Sequence, residues 1–379
     1  MKILGIESSC DETSAAVVED GFKVLSNVIV SQIDIHKAYG GVVPEIAARS
    51  HIEAINPVVN EALAKSGCSW DDIDAIAVTY APGLIGSLLV GTLAARTLAI
   101  IHQKPLYAIH HVEGHVYANF ITQQAPGGKL NLPARQPSFP LLSLIVSGRH
   151  SQLVLFHDHG DYQLLGQAQD DAVGEAYDKV AKILGLPYPG GPSIATAAAS
   201  GDPRKYKLPK ANLRCTHTGD HRPETQPTEC HYYDFSFSGL KTAVLRAVQR
   251  EVGKDFTFPS HELAGLVTTP QRNDFAASFQ HIANETLVDK TVAAYRQYLP
   301  KSVVIAGGVA ANQDLRTQLA ARLPINIEYA PMSLCTDNAA MIAALGYYYS
   351  KKVTPVDPYK LQVIPSISMV KTAWAKEAV

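Results

Sequence analysis

The fold is decided by residues 2–31, which read KILGIESSCDETSAAVVEDGFKVLSNVIVS. Three short apolar runs alternate here with a polar loop at 8–13 and an Asp-Gly turn at 20–21. Short apolar runs that are separated by turn residues predict consecutive antiparallel strands. The stretch therefore predicts a three-stranded meander.

The same order of elements returns in the second half of the chain. Strands are predicted over 140–146, 152–156 and 162–167, with a polar loop at 147–150 after the first strand. Alternating helices and strands follow each meander, and they are predicted over 44–63, 73–79, 84–102, 173–184, 302–306 and 313–321. Two halves of this kind indicate a duplicated α/β fold.

A Pro- and Gly-rich stretch over 123–140 predicts a linker between the halves. We therefore expect an N-terminal lobe over 1–130, a C-terminal lobe over 131–350 and a tail over 351–379. An insertion near 210–232 interrupts the second lobe.

The two polar loops lie at equivalent edges of the two predicted sheets. If the halves face each other, both loops point into one cleft, where backbone amides of tight loops bind anions. Ser9, Asp11 and Glu12 are then candidates for a nucleotide or phosphate loop. The alternative is that these turns only connect strands.

Composition limits the class of protein. The chain has 379 residues, of which 46% are hydrophobic and 18% charged, as expected for a packed globular protein. Its 33 Lys plus Arg against 35 Asp plus Glu give a net charge of −2, whereas a protein that binds nucleic acid over its whole surface is strongly basic. Any RNA partner must therefore use a local patch or be shared with another subunit.

Nothing in the sequence predicts a membrane span or a signal peptide. Acidic residues interrupt the start at Glu7, Asp11 and Glu12, and no run approaches the roughly 18 apolar residues of a spanning helix. Five scattered cysteines do not make a disulfide framework. We expect a protein of the reducing cytoplasm.

His111 and His115 are the first candidate metal ligands. A spacing of four puts both imidazoles on one helical face, where they can bind one ion. Glu113 lies two residues, or about 200°, from each histidine, so its carboxylate should point away from that face. A zinc protease instead places the glutamate next to its first histidine, and this function is disfavoured.

A third ligand must come from elsewhere, and Asp337 is the best candidate. It stands in a polar spot just before an Ala-rich helix. The alternative is that Asp337 caps this helix, since aspartate is a favoured N-cap residue.

Nine motifs along the chain carry a family resemblance. They are GIESSCDET (5–13), GGVVPE (40–45), PGLIGSLLVG (82–91), HVEGH (111–115), DDAVGEAYDK (170–179), YPGG (188–191), FSFSGLKT (235–242), GGVAAN (307–312) and DNAA (337–340). With these motifs in this order, the sequence resembles the universal tRNA threonylcarbamoyladenosine transferases (TsaD type), formerly called O-sialoglycoprotein endopeptidases.

The resemblance implies an actin-like/Hsp70-like ATPase fold, a duplicated ribonuclease H-like α/β architecture with two lobes and a central nucleotide cleft. It implies one divalent metal ion, iron or zinc, held by His111, His115 and Asp337. It also implies a set of substrate-binding residues: Ile145, Val146, Ser147, Gly148, Arg149, Asp178, Gly191 and Asn312.

The implied reaction moves the threonylcarbamoyl group from threonylcarbamoyl-AMP to the exocyclic amine of the adenosine 3′ of a tRNA anticodon, in tRNAs that read codons beginning with A. The implied partners are tRNA, a smaller paralogous actin-like subunit and a P-loop ATPase subunit, as in the bacterial complex.

The chain departs from the family pattern at three places. Arg149 stands where a glycine is usual, and Ala195 stands where many members carry an acid. The insertion contains Cys215, His217, His221, Cys230 and His231, which could hold a second zinc ion or form a polar loop. A basic stretch beside it is a candidate tRNA contact or a solvated surface: Arg204, Lys205, Lys207, Lys210 and Arg214.

Three other functions stay open on the sequence. They are an actin-like-fold metalloprotease, a non-catalytic nucleotide-binding scaffold and a sugar-kinase-like ATPase, since a fold does not determine a function.

Overall fold

The computed structural model describes residues 1–211 and 231–369. Their strands are β1 (Lys2–Glu7), β2 (Glu12–Glu19), β3 (Lys23–Ser31), β4 (Ala75–Ala81), β5 (Leu106–His110), β6 (Gln123–Gln124), β7 (Leu141–Val146), β8 (Ser151–Asp158), β9 (Asp161–Gln167), β10 (Ser302–Ala306) and β11 (Ile327–Tyr329).

The helices of the same residues are α1 (Ile33–Lys37), α2 (Pro44–Ser66), α3 (Ile85–Ile101), α4 (His111–Tyr117), α5 (Val173–Leu184), α6 (Gly190–Ala198), α7 (Ser238–Glu251), α8 (Thr269–Tyr298), α9 (Gln313–Arg322), α10 (Met332–Cys335) and α11 (Ala339–Lys352). Not one of these helices is both long and apolar enough to cross a membrane.

The first sheet has the strand order β5-β4-β1-β2-β3-β6. β1 pairs antiparallel with β2, and β2 pairs antiparallel with β3, which confirms the predicted meander. On its other edge β1 pairs parallel with β4, which in turn pairs parallel with β5. β2 begins at Glu12, so the polar loop is shorter than the predicted 8–13.

The second sheet has the strand order β11-β10-β7-β8-β9. β7 pairs antiparallel with β8 and parallel with β10, so it takes the place that β1 has in the first sheet. The predicted internal duplication is therefore confirmed.

Helices cover both faces of the first sheet because successive side chains of a strand point to opposite faces. Leu4 and Ile6 of β1 belong to the apolar core formed with α2 and α3. Gly5 faces the other way, and a Cβ atom on it would lie 2.3 Å from the carbonyl oxygen of Ala339. This glycine lets α11 lie directly on the backbone of β1.

The chain divides into two compact units. Unit 1 comprises Met1–Ser138, His157–Tyr162 and the segment from Glu328 on, and unit 2 comprises Phe139–Phe156 and Gln163–Ile327. The boundaries differ from the expected lobes because α11 packs on the first sheet, which brings the segment after Glu328 into unit 1.

Local signals explain the ends of α2. Pro44 occupies its first turn, where the missing N–H costs nothing, and Gly67 ends it in the left-handed conformation at φ 69°. α2 runs three residues beyond the predicted end at 63. The five-residue helix α1 was not predicted.

Candidate metal centre

The two histidines of the HVEGH motif lie on α4, a seven-residue helix that follows β5 without a loop. Nε2 of His111 and Nε2 of His115 each lie 3.4 Å from Oδ1 of Asp337. One ligand atom from each of the three residues lies within 4.8 Å of the others. The structure thus brings the three predicted ligands together, all of them within unit 1.

Asp337 does not cap α11. The N-cap is Asn338, whose side-chain oxygen accepts a hydrogen bond from Met341 N at 3.1 Å. The N-cap alternative is therefore wrong, because the capping position lies one residue further along the chain. The carboxylate of Asp337 is left to face the histidines.

The environment of His115 fits a bound cation. Its side chain is 1% exposed, and neither ring nitrogen has a hydrogen-bond partner among the described residues. The 3.4 Å approach of Nε2 to Asp337 is within ion-pair distance but does not form a hydrogen bond. A buried polar group without a partner is costly, and a cation between His111, His115 and Asp337 would satisfy this nitrogen.

Glu7, at the end of β1, lies behind His111. Its Oε2 is 3.1 Å from Nδ1 of His111 and accepts a hydrogen bond from Thr79 Oγ1, while its Oε1 accepts from Ser9 N. A carboxylate on Nδ1 holds the ring in the tautomer whose Nε2 carries the lone pair, which here faces Asp337. Sequence analysis missed Glu7 as part of this site; its signal was a charged residue at the end of an apolar, buried strand.

Charge within the cluster shifts two pKa values in opposite directions. Burial opposes protonation of His111, but the carboxylates of Asp337 and Glu7 outweigh it and hold its pKa well above the usual value. Burial would raise the pKa of Asp337, but the neighbouring His111 and His115 hold it well below the usual value. Without a metal ion, the site therefore keeps a proton on His111 opposite an ionised Asp337.

The polar loop after β1 adjoins this cluster. Ser9 Oγ lies 3.2 Å from Nδ1 of His111, and Asp11 is largely buried. Burial, then the charges of Asp337 and Asp11, raises the pKa of Glu12 to about 9. Glu12 is therefore protonated at neutral pH, and the negative charge beside the loop is that of Glu7 and Asp337, whose pKa values are lowered. A phosphate group that bound here would need a cation to offset that charge.

In unit 2, the predicted substrate loop follows β7. The side chains of Ile145 and Val146 are fully buried in the sheet, whereas Gly148 and Arg149 are exposed. A Cβ atom on Gly174 would lie 2.5 Å from the carbonyl oxygen of Ser147. The start of α5 is therefore packed against this loop.

Three further candidates are tied to helix starts in unit 2: Asp178, Gly191 and Asn312. Asp178 of α5 accepts a hydrogen bond from Gly190 N at 2.7 Å, and no other part of the described chain lies within 4 Å of a Cβ atom placed on Gly191. Asn312 caps α9: its Oδ1 accepts from Leu315 N at 3.1 Å, and its Nδ2 donates to Gln280 Oε1 at 2.9 Å.

The basic stretch is only partly available to a partner. Arg204, Lys205 and Lys207 are exposed. Lys210 forms ion pairs with Glu285 at 3.0 Å and with Asp289 at 2.6 Å, so two acids from α8 neutralise it. The candidate zinc ligands Cys215, His217, His221 and Cys230 lie outside the described residues, as does Arg214, and His231 is described only as part of a short 3-10 helix.

Glu113 is fully buried and takes no part in the cluster. It accepts hydrogen bonds from the hydroxyls of Tyr349 and Tyr162. The prediction that its carboxylate points away from the imidazole face is confirmed, and the geometry does not suit a protease base.

Comparison with known proteins gives one consistent result. The family model described as tRNA N6-adenosine threonylcarbamoyltransferase (TsaD) matches residues 23–344. A protein of that name from Thermomicrobium roseum is 48% identical over 94% of each chain, and one from Symbiobacterium thermophilum is 49% identical over 91% of each.

Among solved structures, component A of the (R)-2-hydroxyglutaryl-CoA dehydratase of Acidaminococcus fermentans superimposes with a TM-score of 0.46 at 16% identity, over 93% of this chain and all of the other. The two sheets of this chain have equivalent strand orders, and each contains an antiparallel meander. This duplication agrees with the actin-like fold of the matching family. The chain therefore belongs to the tRNA N6-adenosine threonylcarbamoyltransferase family of tRNA-modifying enzymes.

Proposed function

We propose that this chain catalyses its family's reaction with one divalent cation, iron or zinc, held by His111, His115 and Asp337. The single observation that carries the proposal is the convergence of three ligand atoms within 4.8 Å around the His115 imidazole, whose nitrogens have no hydrogen-bond partner within residues 1–211 and 231–369. Two histidines and one carboxylate form a typical catalytic ligand set that keeps a further position open. Glu7 would hold His111 in its ligating orientation.

The reaction transfers an acyl group. The amine nitrogen N6 of the target adenosine attacks the carbamoyl carbonyl carbon of threonylcarbamoyl-AMP, the bond from that carbon to the phosphate oxygen breaks, and AMP leaves as N6 gives up a proton. An aromatic amine is a weak nucleophile, so holding it against the carbonyl should supply much of the rate. The bound cation would supply Lewis-acid stabilisation of phosphate or carbamoyl oxygens.

Residues of unit 2 would bind the nucleotide part of the substrate. The open space beside Gly191 leaves room for a nucleotide against the backbone, and Asp178 lies next to it through its bond to Gly190. We assign Asp178 to the ribose hydroxyls. The exposed guanidinium of Arg149 would contact phosphate, because its planar fork matches phosphate oxygens.

The chain would work with other molecules. For tRNA we assign the exposed side chains of Arg204, Lys205 and Lys207. For the smaller actin-like subunit, α3 offers an exposed apolar stripe at four-residue spacing, which is typical of a helix that packs on a partner. The stripe comprises Ile85, Leu89 and Leu93. The P-loop ATPase subunit is proposed on the family resemblance alone.

Nucleoside analysis in cells tests the proposed activity. Cells depleted of this protein should lose threonylcarbamoyladenosine from their tRNA, as measured by mass spectrometry. The native gene should restore it and the double variant His111→Ala/His115→Ala should not. Unchanged threonylcarbamoyladenosine in depleted cells, without a second copy of the enzyme, would overturn the proposal.

Metal analysis of the purified protein tests the proposed ligands. We expect stoichiometric iron or zinc in the native chain and its loss in the double variant. Stoichiometric zinc that persists in the double variant would instead assign the metal to the Cys- and His-containing insertion.

A further inference from the structure

We infer that Glu113 is a positioning residue for the metal centre: its hydrogen bond with Tyr349 sets the rotation of α4 so that His111 and His115 face Asp337. The inference rests on the proposed metal centre and assigns a role to the glutamate of the HVEGH motif that is neither ligation nor proton transfer.

The first observation is where the carboxylate of Glu113 lies. The side chain is fully buried, and its Oε2 accepts from the hydroxyl of Tyr349 at 3.2 Å and from that of Tyr162 at 3.4 Å. The Tyr162 hydroxyl also approaches the carbonyl oxygen of Met369 at 2.8 Å, and it has only one proton to give. Tyr349 is therefore the main donor of the two.

The second observation concerns the segment from Asp337 to Tyr349. It contacts α4 both at the face that carries the two histidines and at Glu113. Asp337 stands two residues before α11 begins, and Tyr349 lies within α11. Between them, a Cβ atom on Gly114 would lie 2.9 Å from Cδ1 of Ile342, so α4 lies close against α11 at this glycine. Tyr349 thus lies on α11 and Asp337 lies just before the N-cap of α11, with α4 packed against this helix.

The geometry explains why such an anchor matters. A seven-residue helix is not stable by itself, so its orientation depends on tertiary contacts. Side-chain atoms lie about 5–6 Å from a helix axis, so a rotation of about 20° would move the imidazole nitrogens by about 2 Å. Metal–ligand distances tolerate only about 0.2 Å. Turning α4 would also leave the buried carboxylate of Glu113 without this donor, which opposes the movement.

The donor is suited to this role. Burial, and then the negative charge of Glu113, holds the pKa of Tyr349 well above its usual value. The same two causes raise the pKa of the neighbouring Tyr80 to about 12. The Tyr349 hydroxyl therefore keeps its proton, and can donate it, throughout the physiological pH range.

Titration of the metal-free, full-length protein with Co²⁺ tests the inference. The dissociation constant is measured by competition with a chelator, and the visible spectrum of the bound Co²⁺ reports the ligand geometry. We expect Tyr349→Phe and Glu113→Leu each to weaken Co²⁺ binding about 10- to 100-fold and to change the spectrum, as loss of outer-shell support does. The double variant should lose little more than either single variant, because both remove the same interaction.

Tyr177→Phe is the matched control. Tyr177 is a fully buried tyrosine of unit 2 whose hydroxyl donates to Asn284 Oδ1 at 3.0 Å, so its variant loses a similar hydrogen bond away from the metal ligands. Its thermal midpoint should fall about as far as that of Tyr349→Phe, while its Co²⁺ affinity and spectrum stay native. If Glu113→Leu does not fold, Tyr349→Phe carries the test.

Two negative results are distinguishable. A native chain that binds Co²⁺ and a folded Tyr349→Phe that binds it with the same affinity and spectrum would overturn this inference and leave the metal centre standing. A native chain that binds no Co²⁺, or a His111→Ala/His115→Ala variant that binds it unchanged, would overturn the metal centre and the role of Glu113 with it.

Discussion

Oε2 of Glu7 lies 3.1 Å from Nδ1 of His111, with both side chains buried in unit 1. β1 and α4, which are far apart in sequence, therefore meet at the ring nitrogen of His111 that the proposed metal ion does not use. The contact connects β1, which pairs with both β2 and β4 in the first sheet, to a ligand of the proposed metal ion.

Substitution of Glu7 should weaken metal binding. Glu7→Gln removes the negative charge on Nδ1 but keeps the shape, and we expect a 10- to 100-fold loss of Zn²⁺ affinity by chelator competition. Glu53→Gln, at an exposed position of α2, is the control and should bind as the native chain does. Equal affinity in both variants would remove Glu7 from the site.

Metal binding should release a proton. The pKa of His111 is raised in the metal-free fold, so below that pKa the ring is protonated and must lose its proton to bind a cation. Apparent affinity should therefore increase with pH, by about tenfold per unit, and level off above the folded pKa. Calorimetric titration with Zn²⁺ at pH 7 in two buffers of different ionisation enthalpy measures the released proton; identical heats would contradict the expectation.

Gly5 should be intolerant of any side chain. In Gly5→Ala, the new Cβ would lie 2.3 Å from the carbonyl oxygen of Ala339 and 2.8 Å from Ala343 N, both of which are backbone atoms of α11. We expect a loss of about 1–3 kcal/mol in the free energy of unfolding, measured with urea, since an overpacked core forces backbone shifts.

Gly239→Ala is the control for Gly5, because none of the described residues has an atom within 4 Å of a Cβ atom at this helical position. It should leave stability unchanged or raise it, since alanine favours helix. A Gly5→Ala protein as stable as Gly239→Ala would mean that α11 does not lie against β1 as described.

Arg149 should be compatible with nucleotide binding. Its side chain is exposed at the tight turn after β7. The arginine therefore does not pack into the core, and the backbone of this loop keeps its turn. We expect the native chain to bind adenine nucleotide in a calorimetric titration, and Arg149→Gly to bind no better. Absent binding in the native chain together with a gain in Arg149→Gly would show that the arginine obstructs the site.

Neutralising the exposed basic residues should reduce the salt dependence of tRNA binding. Replacing Arg204, Lys205 and Lys207 by glutamine removes up to three phosphate contacts, so the slope of log affinity against log salt should become shallower. Lys210→Gln is the control, because Lys210 is already paired with Glu285 and Asp289. An unchanged slope in the triple variant would assign these side chains to solvated surface.

Local patterns made most of the fold predictable. Alternation of apolar and polar residues, and turn residues between them, gave both meanders, because a strand's pattern depends only on its neighbours in sequence. The helix over 173–184 and the strand over 302–306 have the predicted bounds. The four-residue spacing of His111 and His115 was enough to place both imidazoles on one face of a helix.

Features that depend on long-range packing could not be read in this way. Whether Asp337 was a metal ligand or the N-cap of the following helix was open, since aspartate suits both roles. The basic stretch near Lys210 contains no acid in sequence, yet α8 supplies two. The angle of about 200° between Glu113 and each histidine was enough to place Glu113 away from the imidazole face. Its hydrogen-bond partner Tyr349 could not be identified from the sequence.

The amino-acid sequence by itself determined the duplicated α/β architecture, the family and the placement of His111 and His115 on one helical face. Local periodicity, turn residues and the order of the motifs are sufficient to specify these features. Only the tertiary structure decided that α11 lies on the first sheet, that Glu7 stands behind His111 and that Tyr349 holds Glu113. Those contacts join residues from distant segments, and they depend on which faces pack together and how closely a glycine lets two backbones approach, which no local pattern encodes.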